Sequence, residues 1–193
     1  GRPVAYIGKT ARLRVDSLPP ELSPTEVTLT LHGEAAEIVG VEEGTVRFQV
    51  PATLRPGWVV ARLAVRGAAA YPVLLKTGFA PPRILSVHTA SGAVVSAENP
   101  AVPGKLVQVR VADLGLPGEE IDVQRVTVTV AGIGHEVTRV VRPGGKGEVH
   151  IVQFLLGTTV PAGDAVPLVV RIDGRPSAPV AIPVAESTES TAP

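Results

Sequence analysis

Residues 159–182, TVPAGDAVPLVVRIDGRPSAPVAI, decide the fold because they predict a strand, a turn and a second strand, and a looser version precedes them. That earlier version is TLRPGWVVARLAVRGAAAYPVLL, residues 53–75. Its Trp58 aligns with Asp164 and its Arg66 with Asp173, whereas the turn residues and apolar strands match. A shared chemistry would need the same charges in both copies. The duplication therefore indicates a fold built twice, with the stretch as the hairpin that closes each copy.

The repeat extends over most of the chain, and its matched segments keep their order. Gly8 of GKTARLRVDSL aligns with Gly104 of GKLVQVRVADL, an offset of 96 residues. Further along, Gly44 of GTVRFQVP aligns with Gly147 of GEVHIVQF, an offset of 103 residues. Surface loops accept insertions and strand registers do not, so a growing offset predicts two copies of one sandwich.

Alternation of apolar and polar residues recurs along the chain and is typical of half-buried strands. No helical stripe runs uninterrupted, and the most helix-like piece, GEAAEIVGVEEG, has Gly40 at its centre, so we predict strand and turn there. The fold class is all-β, with two tandem immunoglobulin-like antiparallel β-sandwiches. The predicted strands are ARLRV, VTLTLHG, TVRFQV, WVVARLAV, RILSVH, LVQVRVA, RVTVTVAG, HEVTRVV, EVHIVQFLL and PLVVRI.

The repeat also predicts the domain boundaries. We expect one sandwich over residues 1–79 and a second over 82–185, joined by the stiff Ala-Pro-Pro segment at 80–82. Only RPVAYIG precedes the first matched segment, so we expect a first copy that is shortened at its N-terminus. AESTESTAP lacks apolar periodicity, and we expect residues 186–193 to be a disordered tail.

Composition excludes several classes of function. Of 193 residues 45% are hydrophobic, which is ample for a core, and the 18 basic residues balance the 18 acidic ones. A chain without net charge is not drawn to nucleic acid or to an anionic membrane. There is no cysteine, so disulfides, thiolate metal sites and a cysteine nucleophile are excluded. No apolar run has the length of a membrane helix or of a signal-peptide core, so any export signal lies outside this sequence.

Four histidines are the first candidates for catalysis, because only histidine has an ordinary pKa near neutrality: His32, His88, His135 and His150. None has a second histidine or a carboxylate at a spacing that suggests metal ligation. Glu136 follows His135 directly, but adjacent strand residues point to opposite faces. There is also no GxSxG motif, and RPGGKG, with Arg142 and Lys146, lacks the Walker spacing and is expected at a hairpin tip. We predict no catalytic, metal or cofactor-binding residues.

Acidic residues suggest calcium, which takes six to eight oxygen ligands. Asp164 and Asp173 flank an apolar strand, and further carboxylates follow VQVRVA: Asp113, Glu119, Glu120 and Asp122. The alternative is that Asp164 and Asp173 shape turns, since AGD and DG are turn sequences. We favour turns, because no spaced acidic loop of the EF-hand kind is present.

Aromatic residues distinguish a carbohydrate-binding module from a module without a sugar site. Sugar-binding sandwiches present exposed Trp or Tyr rings, and only Trp58, Tyr6 and Tyr71 are available here. Trp58 and Tyr71 lie in predicted strands, and tryptophan is strongly buried on average. We therefore expect Trp58 to pack into the core of the first copy, with an exposed sugar platform as the alternative.

Two resemblances bear on function. PPRILSVHTASGAVV, followed by PGKLVQVRVADLG, resembles the opening of IPT/TIG domains, which are immunoglobulin-like modules. Residues 44–184, with VPAGDAVPLVVRIDG as the most specific part, resemble a bacterial family of uncharacterised C-terminal modules of large secreted proteins. The resemblance implies extracellular or cell-surface domains without a known activity.

We therefore expect a non-catalytic spacer, adhesion or protein-interaction module of a larger secreted protein. Its partners would be protein or cell-surface polysaccharide, bound without insertion into a membrane, and exposed strand edges could pair with a partner. A carbohydrate-binding accessory module is the alternative.

Overall fold

The computed structural model describes residues 4–16, 18–19, 21–116, 118–144 and 148–186. Its regular structure in these ranges is almost entirely β-strand, with single 3₁₀ turns at Pro24–Glu26 and Val123–Arg125. The chain divides into two compact units, Gly1–Ala80 and Pro81–Pro193. The chain is therefore an all-β protein, as the sequence predicts.

The first unit contains eight strands in the order β1-β8-β6-β3-β4-β5-β2, with β7 beside β6. The pairings are antiparallel except that of β1 with β8. The first part of β4 pairs with β3 and the second part with β5, so β4 connects the two halves of this sheet. The strands are β1 Val4–Tyr6, β2 Thr10–Arg14, β3 Val27–Leu31, β4 Glu34–Glu42, β5 Thr45–Gln49, β6 Gly57–Val65, β7 Ala68–Ala69 and β8 Val73–Gly78.

The second unit contains two sheets, one with the order β13-β14-β10-β9 and one with β12-β11-β15-β16, in which β17 also pairs with β15. Inward-facing residues of both sheets form one buried cluster, which makes this unit a sandwich. The strands are β9 Arg83–Thr89, β10 Leu106–Ala112, β11 Val126–Val130, β12 Ile133–His135, β13 Val137–Val141, β14 Val149–Leu155, β15 Gly163–Ile172, β16 Arg175–Pro176 and β17 Val180–Val184. The cluster includes Val107, Val109, Val111, Val126, Val128, Val130, Val152, Phe154, Leu168, Val170 and Ile172.

The two units repeat the same local structure. β3 and β11 have identical burial along their five residues, because three apolar side chains of each point inward and two threonines point outward. The turn after β6 has positive φ at Arg66 and Gly67, and the turn after β15 has it at Asp173 and Gly174. Such turns suit two-residue hairpins, since their twist matches that of the strands. The short strands β7 and β16 come directly after these turns and pair antiparallel with β6 and β15, and the next strands, β8 and β17, also pair antiparallel with β6 and β15.

Strand pairing corrects one part of the sequence alignment. Ala11 of β2 lies opposite Phe48, and Val107 of β10 lies opposite Phe154. Ala11 and Val107 are related by the offset of 96, so Phe48 corresponds to Phe154 at an offset of 106. The sequence alignment of Gly44 at an offset of 103 residues was therefore wrong by three residues. Its cause is that β14 extends further along β10 than β5 extends along β2.

The glycine-interrupted segment forms β4, and the other predicted strands are present except that HEVTRVV is divided at Glu136, between the end of β12 and the start of β13. Apart from Glu186, the predicted tail over 186–193 lies outside the described residues, as does Lys146. Within the described ranges, no helix has the length and apolar character needed to cross a membrane.

Candidate functional site

The four histidines lie in separate settings. His32 is exposed in the turn after β3, and in His88 one ring nitrogen contacts the Ser86 hydroxyl while the other contacts the Gly92 carbonyl. His135 lies edge-on to Phe154, and His150 is buried at the start of β14. Burial lowers the pKa of both His135 and His150. Among the residues that the structure describes, no group of three or more His, Asp or Glu could hold a metal ion.

Two acidic residues of the second unit, Glu119 and Asp173, bind one arginine, Arg125. Arg125 donates two hydrogen bonds to the Asp173 carboxylate, of 3.0 and 2.7 Å, and a third, of 2.6 Å, to Glu119 Oε1. Glu119 Oε2 accepts the backbone N–H of Leu116 at 2.8 Å. These contacts commit both carboxylates to structural hydrogen bonds.

The pKa values follow from this geometry. The Arg125 hydrogen bonds lower the pKa of Asp173. For Glu119, partial burial favours the neutral form, but the hydrogen bonds from Arg125 and Leu116 outweigh it and its pKa is also lowered. The two carboxylates in turn raise the pKa of Arg125. All three groups are therefore charged at neutral pH.

The same turn in the first unit carries the opposite charges. Arg66 Nε donates to Glu26 at 2.8 Å, just as Arg125 donates to Asp173. In both units the turn residue also donates its backbone N–H to the carbonyl of its ion-pair partner. The charge exchange shows that Asp173 fastens a hairpin to a 3₁₀ turn, in agreement with the turn interpretation.

The other acidic candidates do not converge either. Asp122 accepts the Gln124 N–H and so caps the second 3₁₀ turn, and Asp113 lies in the turn after β10 with positive φ. Asp164, which we expected in a turn, is the second residue of β15.

Trp58 is the main departure from the sequence analysis. Its side chain is 54% exposed, so the prediction that it packs into the core was wrong. In β6 the inward positions are Val59, Ala61 and Leu63, all buried. Trp58 occupies the opposite phase of the alternation, together with the exposed Arg62.

Strand pairing shows which residues share this outer face. Trp58 lies opposite Lys76 of β8, which in turn lies opposite Val4 of β1. One pair along, Val60 lies opposite Leu74, whose side chain is 65% exposed. Directly opposed residues of neighbouring strands project from the same side of a sheet. We call this surface the Trp58 face, and it consists of Val4, Thr30, Trp58, Val60, Arg62, Leu74 and Lys76.

The Trp58 face combines an aromatic ring with aliphatic groups and hydrogen-bond donors. Lys76 and Arg62 are exposed, and Thr30 lies opposite Arg62. Tyr71, in the loop before β8, is almost fully exposed. The signal for this face was present in the sequence, since the alternation through β6 places Trp58 in the same phase as Arg62 rather than with the leucine and valine of the core.

Comparisons with known proteins place the chain in no family. No family model matches it, and none of the curated proteins matches it in sequence.

Similar solved structures include SGBP-B of a Bacteroides ovatus mixed-linkage glucan utilization locus, in complex with a heptasaccharide. It is 14% identical, covers 95% of this chain and 44% of its own, and has a TM-score of 0.38. The surface glycan-binding protein PbSGBP-B of Prevotella bryantii is 12% identical, over 91% of this chain and 36% of its own, with a TM-score of 0.37. Titin Ig tandem domains are 11% identical, over 94% and 91%, with a TM-score of 0.26. The chain thus spans less than half the length of the first two proteins, and at these TM-scores the likeness assigns neither function nor family.

Proposed function

We propose that this chain is a non-catalytic adhesion module of a larger extracellular or cell-surface protein, and that it binds carbohydrate through the Trp58 face. In this proposal the two compact units are tandem immunoglobulin-like sandwiches of the IPT/TIG type. The repeated hairpin, turn and ion pair support one ancestral fold used twice. The exposed ring of Trp58 is the observation that carries the binding function.

Trp58 is not a single exposed apolar residue, because it shares its face with the exposed Leu74 and the half-buried Val60. A tryptophan in contact with water forgoes the burial of a large apolar surface, which is among the largest single contributions a side chain makes to folding. An indole ring on a sheet face is the kind of flat surface against which the C–H groups of a sugar can pack. Sheet geometry also holds neighbouring side chains at defined positions around it.

Lys76 favours a carbohydrate over a protein ligand. It lies directly opposite Trp58 and is exposed. Interface cores between proteins are depleted of lysine, because a buried ammonium group loses its hydration. Sugar hydroxyls are small acceptors and leave such a group hydrated. A ring flanked by Lys76, Arg62 and Thr30 therefore suits a polyhydroxyl chain that lies across the strands.

A protein partner is the second candidate, and Leu74 is the observation that favours it. A 65% exposed leucine next to a tryptophan enlarges the apolar area beyond what a sugar needs. Tryptophan is also among the residues that dominate protein interfaces.

A glycan array with the full chain tests the proposal. We expect at least one polysaccharide hit that Trp58→Ala abolishes and that shifts the tryptophan emission of the unaltered protein. Leu155→Ala is the matched control, because Leu155 lies in the second unit with the same exposed fraction of 54%. An array without hits, or hits that Trp58→Ala leaves intact, would refute the carbohydrate proposal. If the protein gives no glycan hits but binds to cell surfaces, and Leu74→Ser weakens that binding, the protein partner is the correct candidate.

A further inference from the structure

The second unit contains a cavity of about 480 Å³ at one end of its first sheet. The loop that follows β10 forms one wall and the last residues of β13 form another, while the start of β14 closes the inner end. The lining includes Glu119, Glu120, Ile121, Val140, Arg142 and His150. Its volume lies within the range of sites for small ligands, which is about 300–1,000 Å³.

His150 at the inner end has unmet hydrogen-bonding capacity. It is only 4% exposed and lies on the side of β14 that also carries Val152 and Phe154. Neither ring nitrogen makes a hydrogen bond of normal geometry among the described residues, although the backbone of Glu119 lies near enough to act on the pKa of the ring. Buried polar groups in folded proteins are paired in the large majority of cases, because an unpaired one costs free energy. A molecule in the cavity would supply the missing partner.

His150 has no equivalent in the first unit. In that unit the N–H of Val15 donates to the carbonyl of Gly44, at the end of the β2–β5 pairing. The corresponding pair in the second unit is Val111 with His150, at the offset of 106 established by Phe48 and Phe154. The first unit thus ends in a turn glycine where the second has a buried imidazole, so the feature is not a requirement of the shared fold.

Contacts within the protein hold the walls of the cavity in place, so the site is formed before a ligand binds. The carboxylate of Glu119 is tied to Arg125 and to the Leu116 N–H, as described above. Arg142 Nη2 donates to the backbone carbonyl of Glu119 at 2.8 Å and joins the two walls. A preformed site loses less conformational entropy on binding.

The lining also restricts the class of ligand. Burial lowers the pKa of His150 and so favours the neutral ring, which has one donor and one acceptor. A ligand that both accepts and donates can therefore meet both nitrogens. Glu120 only accepts and Arg142 only donates, and with two carboxylates against one guanidinium the lining does not attract an anion. A hydroxyl group can both donate and accept, so hydroxyl groups can form hydrogen bonds with His150, Glu120 and Arg142. Ile121 and Val140 can contact the C–H groups of the same ligand.

We infer that this cavity is a second ligand site, separate from the Trp58 face, and that it binds a small neutral polyhydroxyl compound, namely a monosaccharide or a disaccharide. The site depends on side chains of the second unit alone. It would recognise a sugar end or a short sugar, in contrast to the open surface of the first unit.

Histidine-ring NMR of the full chain, titrated with glucose, galactose, mannose, N-acetylglucosamine, maltose and cellobiose, tests this inference directly. We expect one or more of these sugars to shift the ring signals of His150, with dissociation constants of about 1 mM. His135 is the internal control, because its Nδ1 contacts the Ile133 carbonyl and it does not line the cavity. Absence of any shift at His150, or equal shifts of all the histidines, would refute the site, and a shift with sulfate alone would refute the neutral class.

Variants at the mouth avoid disturbing the core. Glu120→Gln, at an exposed position, keeps an acceptor oxygen but removes the charge that strengthens the hydrogen bond, so it should weaken sugar binding about fivefold. Glu136→Gln, an exposed acid outside the cavity, should leave it unchanged. Trp58→Ala should also leave the His150 titration unchanged, so failure at one site is distinguishable from failure at the other. Equal effects of Glu120→Gln and Glu136→Gln would contradict the assignment.

Discussion

Arg125 is the centre of the second unit's charge network, and replacing it with methionine should destabilise that unit selectively. Methionine keeps most of the aliphatic length and removes all three charge-assisted hydrogen bonds, two to Asp173 and one to Glu119. The hairpin after β15 then loses its side-chain tie to the 3₁₀ turn at Val123–Arg125. The backbone hydrogen bond from Asp173 to the Arg125 carbonyl remains.

The expected magnitude is modest because water screens these charges. The side chains of Arg125, Asp173 and Glu119 are 37%, 42% and 29% exposed. Exposed ion pairs contribute about 0.2–1 kcal/mol each, and two-pronged arginine pairs lie toward the upper end. Two such pairs give a loss of about 1–2 kcal/mol, which for a domain of about 100 residues lowers the Tm by about 5–10 °C.

The assay needs two signals, since the units differ in their reporters. Trp58 is the only tryptophan and lies in the first unit, so its emission follows that unit, while calorimetry follows both. We expect Arg125→Met to shift the calorimetric transition of the second unit and to leave the emission midpoint unchanged. Arg171→Met, at an exposed position on β15, is the matched control and should change stability by less than about 0.5 kcal/mol.

Acid provides a further check on the reasoning. The pKa values of Glu119 and Asp173 are lowered from their ordinary 4.5 and 3.8 by folding. Their stabilisation is therefore complete above about pH 4.5 and is lost as the pH falls through the folded-state values. The difference between Arg125→Met and the unaltered protein should shrink on acidification. A difference that grows in acid, or a variant as stable as Arg171→Met at pH 7, would refute the assigned role.

Three other predictions follow from burial and charge. Burial lowers the pKa of His150 and His135 from 6.5, so the unfolded chain binds more protons than the folded one and the free energy of unfolding should fall as the pH drops below that value. His150→Phe should flatten this pH dependence in denaturation curves measured between about pH 7 and 5. An unchanged slope would contradict the prediction. Phe154→Ala removes a fully buried ring and should cost about 3–5 kcal/mol in chemical denaturation, whereas a loss below about 1 kcal/mol would mean that the ring is not packed as described. Exchanging the charges of Glu26 and Arg66 should restore the emission midpoint that either single reversal lowers, and a double variant no better than the singles would disprove their pairing.

Much of the fold could be predicted from the sequence, because alternation and turn chemistry are local. The alternation in VTLTL and VTVTV predicts which side chains point inward, and both strands have the same burial pattern in the structure. The Asp-Gly turn of the second unit was also predictable, since few sequences tolerate two successive positive φ values. The correspondence between β5 and β14 was not predictable, because only the hydrogen-bond ladder between strands fixes which residues correspond.

The candidate sites were harder to predict. Trp58 was assigned to the core on the average behaviour of tryptophan, although its phase in β6 pointed outward. The prediction that His150 is neither catalytic nor a metal ligand used only its neighbours in sequence, and these do not include the loop between β10 and the second 3₁₀ turn. That loop lies some thirty residues earlier in the chain and forms a wall of the cavity. A site built from distant segments has no local signature.

The sequence by itself therefore determined the all-β class and the hairpins, since these depend on residue-to-residue alternation and on the backbone preferences of Gly, Pro and Asp. Only the tertiary structure decided that Arg125 joins Glu119 to Asp173, that Trp58 shares a face with Lys76, and that His150 closes a cavity. Each of these depends on strand register and on loops that meet at one end of a sheet. Such long-range pairing is set by the packing of the whole core.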